Sequence, residues 1–107
     1  MSVIDNLKSM LAEGQDNALI RFGLANAYIQ ERNPEEALLH YETALDQDSR
    51  YTAAWKMYGQ TLELLMQYEA AKRAYQKGLE VAQDKGDYQA MKTMREAIRA
   101  LREAHNV

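Results

Sequence analysis

Two histidines, an adjacent pair of glutamates, five glycines and seven tyrosines are the residues of this chain whose chemistry could serve catalysis or ligand binding. His40 and His105 are the candidates for proton transfer near neutral pH. They lack metal-ligand spacing, and no His-Glu-x-x-His occurs. The expected place for His40 is a helix surface, and for His105 a C-terminal tail. Glu35-Glu36 would act as acid and base only if both carboxylates faced one reacting atom. Neighbours on a helix point in different directions, so the pair reads instead as a complement to a helix dipole. Gly14, Gly23, Gly59, Gly78 and Gly86 are too scattered to form a phosphate-binding loop. The tyrosines follow helical core positions more than they build a face for stacking bases. Nucleophile, base and orienter never come together, so no enzyme, cofactor or metal site is expected.

Composition narrows the classes further. At 107 residues the chain suits one domain with one core. Hydrophobic residues make up 47% and charged ones 27%, with a single proline, which fits a folded helical protein and argues against disorder. Without cysteine there can be neither disulfides nor thiolate metal sites, in keeping with a reducing compartment. The start, MSVIDNLKSMLAEG, is no secretory signal because Asp5 and Lys8 interrupt it. No run of about 18 apolar residues exists to span a membrane. The expected location is the cytoplasm. Net charge is −3, unevenly placed: residues 1–50 carry four bases against nine acids, residues 51–107 nine against seven. That balance makes nucleic acid a poor partner.

The elements are helices. Ser2 caps a first one over Val3–Glu13, with Ile4, Leu7, Met10 and Leu11 as its apolar side and Gly14 as its stop. Asp16 or Asn17 caps a second over Ala18–Arg32. Asn33-Pro34 opens a third that ends near Asp48. A fourth covers Tyr51–Met66 and a fifth begins at Tyr68. Lys85-Gly86-Asp87 reads as a glycine stop followed by a new cap. The sixth helix, Tyr88–Ala104, shows Ala90, Met91, Met94, Ala97, Ile98 and Leu101 as its apolar positions. No segment alternates with period two, so no strands are expected.

Ala18–Tyr51 aligns on Thr52–Lys85 with a period of 34 residues. Four positions are identical: Glu35/Glu69, Ala37/Ala71, Tyr41/Tyr75 and Leu45/Leu79. Size is kept at others, Leu24 with Tyr58, Ala25 with Gly59, Tyr28 with Leu62 and Ala44 with Gly78. The second copy reads Trp55-x2-Tyr58-Gly59-x2-Leu62, then Ala71-x3-Tyr75. The first reads Arg21-x2-Leu24-Ala25-x2-Tyr28, then Ala37-x3-Tyr41. Period and small-residue placement together resemble the tetratricopeptide repeat. Arg21 replaces the family's tryptophan in copy one, and Ser49 and Gln83 replace its closing proline.

The resemblance implies an all-α, right-handed superhelix of antiparallel helix hairpins with about six helices. The expected division is an N-terminal helix at 1–17, repeats at 18–51 and 52–86, and a capping helix at 87–107, a row closed at both ends. Ala25 and Gly59 are expected to admit the facing Ala37 and Ala71, and Trp55 to cover the layer between hairpins.

The family binds extended peptides or partner helices in a concave groove lined by the first helix of each hairpin. Carried over, the groove residues are Leu19, Phe22, Asn26 and Ile29 on the second helix and Lys56, Gln60 and Glu63 on the fourth. Lys92, Arg95 and Arg99 of the sixth helix are expected to add a cationic wall. Some members clamp a carboxylate with Lys-x3-Asn on the first groove helix; Asn26 matches, Phe22 stands in the lysine position, and Met57 replaces the second helix's asparagine. The expected function is a non-catalytic adaptor for a protein or peptide. The second helix is apolar on more than one side. That face is expected either to form the groove floor or to be covered by another part of this chain or by a second copy of it. The alternative function is a homodimer through it.

Overall fold

The computed structural model describes residues 2–107. Its elements are α1 (Val3–Ala12), α2 (Ala18–Gln30), α3 (Pro34–Gln47), α4 (Thr52–Leu64), α5 (Tyr68–Lys85) and α6 (Tyr88–His105). Side chains start four of them: Ser2 accepts from Asp5 N–H, Asn17 from Ile20, Asn33 from Glu36 and Asp87 from Ala90. These bonds satisfy amides that no helical carbonyl can reach. Asn17 is therefore the second cap, and Asp16 has another use. Gly86 ends α5 in the left-handed region, φ 66°.

Consecutive helices pack antiparallel as a row, α1 on α2, α2 on α3, α3 on α4, α4 on α5 and α5 on α6. The result is an elongated solenoid of 42 × 29 × 18 Å. The α2–α3 and α4–α5 turns are copies of each other. Arg32 and Met66 both adopt left-handed backbone, φ 57° and 58°. Asn33 N–H donates to the Tyr28 carbonyl, as Gln67 does to Leu62. Local bonding thus obeys the 34-residue period although the turn residues differ in type.

Two apolar clusters fill the row. Leu24, Ala25, Tyr28, Ala37 and Tyr41 form one, closed from outside by Ile4, Leu7 and Leu11 of α1. Leu62, Ala71, Ala74, Tyr75, Met94, Ile98 and Leu101 form the other, with Trp55 packed on it. Tyr58 touches both. Trp55 does lie over the second layer, and its indole N–H donates to the Ser49 carbonyl at 2.8 Å.

The crossing of α4 and α5 differs from expectation in one respect. A Cβ on Gly59 would stand 2.5 Å from the Tyr75 ring, so it is Tyr75, not Ala71, that Gly59 admits most closely. Helix side chains lean toward the N-terminus, which carries the ring back over the small residue one turn earlier. Gly78 serves the next crossing, where a Cβ would meet Met94 Cε at 2.8 Å and Trp55 Cβ at 3.0 Å. Among the described residues no helix is long and apolar enough to cross a membrane.

Candidate partner groove

α2 and α4 carry the expected groove residues, and the repeat geometry fixes how they point. Tyr41 and Tyr75, buried on α3 and α5, reach across with their hydroxyls. Tyr41 donates to Asn26 Oδ1 and Tyr75 to Glu63 Oε2. A buried phenol needs such a partner. Burial pushes Tyr41 up to about 12, and burial with the Glu63 carboxylate pushes Tyr75 higher still. Asn26 and Glu63 are thus tied to the core. Sequence reasoning placed both tyrosines inside but missed their hydroxyls, whose signal was the Tyr41/Tyr75 identity.

Phe22 is half-buried, its ring 5.9 Å from that of Tyr41 and 4.8 Å from that of Tyr51. Ile29 is also half-buried against the first cluster. On another side of α2, Leu7 of α1 lies 3.7 Å from where a Gly23 Cβ would be. The extra apolar surface of α2 is therefore largely covered by α1 and Tyr51 of the same chain. Leu19 is the exception at 68% exposed. Met57, in the family's asparagine position, packs on the first cluster, and Asn26 is engaged by Tyr41. The carboxylate clamp is not assembled.

Lys56 lines a cleft of about 240 Å³ between α4 and α6 with Thr52, Ala53, Gln89, Ala90 and Thr93. Gln60 is exposed beside it on α4. The basic residues of α6 are not in that cleft. Arg95 and Arg99 join Arg102, Ile98, Gln76 and Leu79 around a separate depression at the α5–α6 seam, and Lys92 shares a surface with Arg95, Glu96 and Arg99. Burial of Met94, Ile98 and Leu101 fixes the rotation of α6, and its basic residues line depressions other than the Lys56 cleft. Lys56 and the basic residues of α6 thus line separate depressions.

The histidines also differ from expectation. His40 is mostly buried, stacked on Tyr28 with the ring planes 2° apart. Its Nδ1 accepts from Arg21 at 3.1 Å, and its Nε2 lies 3.9 Å from Glu36. Arg21, standing where the family has tryptophan, forks onto Asp16 at 2.8 and 2.7 Å, and Gln47 joins at 2.8 Å. A polar network of α2 and α3 thus takes the place of an indole. His105 is helical and stacks on Tyr68 with ring centroids 3.5 Å apart. Neither meets a nucleophile, and among the described residues no cluster could hold a metal ion.

Burial and the Arg21 charge lower His40, Lys8 adding to this while Glu36 and Asp16 oppose. Since the unfolded chain then takes up the proton first, stability is full above pH 6.5 and falls as pH drops below it. Hydrogen bonds from Arg21 and Gln47 hold Asp16 well below the usual carboxylate range, so a second loss begins below pH 3.8. Melting midpoints should fall from pH 7 to 5 in the native chain and stay flatter in His40→Gln. Equal slopes would show that His40 is not the group responsible.

A model of the tetratricopeptide repeat matches residues 28–95. The chain belongs to the tetratricopeptide repeat family. A TPR repeat-containing protein of Pseudomonas aeruginosa is 38% identical over 99 residues, covering 92% of this chain and 94% of that protein. The solution structure of a Bordetella parapertussis protein superposes with a TM-score of 0.84 at 37% identity, covering 96% of this chain and 90% of that one. The first TPR of Spaghetti, bound to the HSP90 peptide SRMEEVD, shares the fold at TM-score 0.74 and 23% identity, covering 92% and 76% of the two chains. This is the tetratricopeptide fold of a protein–protein interaction module.

Proposed function

We propose that this tetratricopeptide protein is a non-catalytic adaptor that takes an extended peptide or protein segment along α2 and α4. The observation that carries the reading is Leu19, a large apolar side chain left open at one end of the Phe22–Asn26–Ile29 face. Asn26, its Oδ1 occupied by Tyr41, offers its amide hydrogens to a peptide carbonyl. Gln60 adds donor and acceptor, and Lys56 gives one cation for an acidic residue. The Spaghetti domain, bound to a peptide with two adjacent glutamates, supports peptide capture on this fold. The apolar anchor supplies most of the affinity, because one exposed ion pair contributes only about 0–1 kcal/mol.

Acidic, neutral and basic peptide pools titrated against labelled protein should shift NMR signals of α2 and α4, with acidic, partly apolar peptides preferred. Leu19→Ala should weaken binding about tenfold and Lys56→Ala about fivefold at most. Leu19 is the cleaner probe than Phe22, whose ring is packed on Tyr41 and Tyr51. Shifts confined to α3 and α5, or a preference for basic peptides, would overturn the reading. The alternative, a homodimer through α2, predicts that Leu19→Ala changes the sedimentation mass while peptides shift nothing.

A further inference from the structure

The end face of α6 carries Lys92, Arg95, Arg99 and Arg102, all exposed, in a protein of net charge −3. Among the described residues none of the four has a carboxylate within 4.0 Å, although Glu96 and Glu103 are on the same helix. Arg95, Arg99 and Arg102 rim a depression of about 360 Å³ at the α5–α6 seam whose other walls include Leu79 and Ile98. Counted from its first residue, α6 holds Arg95 where α4 holds Gly59, the residue that receives Tyr75. The place that accepts an aromatic ring within the row thus presents a guanidinium at its end. Such a face selects an acidic occupant with a small apolar centre.

The same molecule carries that complement. Glu35, Leu39, Glu42 and Asp46 recur every three or four residues along α3, so they share one face. All four are exposed, Leu39 at 56%, and none of the three acids has an ion-pair partner among the described residues. Glu42 and Asp46 also line the α3–α4 seam with Leu45, Trp55 and Tyr58. By the 34-residue period Glu42 and Leu45 correspond to Gln76 and Leu79, so equivalent seams bear opposite charge.

We propose that a second copy of this chain docks its Glu35–Leu39–Glu42–Asp46 face onto the Arg95–Arg99–Arg102 seam, Leu39 lying over Leu79 and Ile98. The contact is head-to-tail, because the two faces differ, and a docked pair keeps one free face on each copy, acidic on one and basic on the other. It uses surfaces other than the α2 face of the homodimer reading and other than the Leu19–Lys56 groove. Association is weak and salt-sensitive, because its charges are exposed.

Sedimentation equilibrium to about 1 mM protein should show concentration-dependent association at about 25 mM salt and monomer at about 500 mM. Glu42→Arg/Asp46→Arg and Arg95→Glu/Arg99→Glu should each weaken association at least tenfold, since each variant opposes like charges. Their equimolar mixture should recover it to within about threefold, because each then supplies the face the other lost. The changes are on exposed positions, and circular dichroism should show unchanged helix content. In the unmutated chain, concentration-dependent NMR shifts should centre on Leu39, Glu42, Arg95 and Arg99. A monomer at every concentration, variants that associate like the parent, a mixture that stays monomeric, or shifts confined to α2 would each overturn the proposal.

Discussion

Gly59→Ala should destabilise the protein by about 1–3 kcal/mol, even though alanine is the better helix former by about 1 kcal/mol. The new Cβ would meet three atoms of the Tyr75 ring between 2.5 and 2.8 Å. That ring is 1% exposed and its hydroxyl is held by Glu63, so it cannot swing aside cheaply. Tyr75→Ala alone should cost about 3–5 kcal/mol through lost burial and the cavity left behind. In that background Gly59→Ala should become neutral or stabilising by up to about 1 kcal/mol, because the obstacle is gone. Gly23→Ala is the control: its Cβ meets only Leu7, at an ordinary 3.7 Å, and should stabilise by about 0.5–1 kcal/mol. Urea midpoints for the four proteins measure the coupling. Strict additivity of the Gly59 and Tyr75 changes would sink this account of the crossing.

Leu101→Asp should cost about 4 kcal/mol or more, because it places an unpaired carboxylate where the side chain is 1% exposed. The loss should be uneven. α6 packs chiefly on α5, and in a row of helices each element depends on its neighbours. Hydrogen exchange should therefore lose protection first in α6 and the adjoining side of α5, with α2 and α3 following only at higher denaturant. Leu64→Asp, on a residue 62% exposed, should stay within about 0.5 kcal/mol of the parent. Simultaneous loss of protection in every helix would mean that the row unfolds as one unit.

Much of this molecule is local in origin and therefore readable along the chain. Ser2, Asn33 and Asp87 cap helices because their side chains bond amides a few residues on, and Gly86 ends α5 because glycine tolerates left-handed backbone. The 34-residue period set the four helices of the two hairpins and a tetratricopeptide solenoid, since each unit repeats the same turn bonds at Arg32 and Met66. It also put Phe22 and Lys56 at equivalent positions, and it identified Tyr41 and Tyr75 as equivalent core residues.

Tertiary packing decided the rest. No residue near Gly59 in sequence announces Tyr75, because the contact joins two helices through a leaning side chain. Phe22 looked like an open anchor until Tyr51, just before α4, packed against it with the rings tilted. His40 looked exposed until Tyr28 and Arg21 of the neighbouring helix enclosed it. The rotation of α6 had no repeat partner to fix it, so only the burial of Met94, Ile98 and Leu101 separated its arginines from Lys56. Sequence period specifies which residues share a face of one helix; which neighbour that face meets depends on how several helices bury apolar surface together.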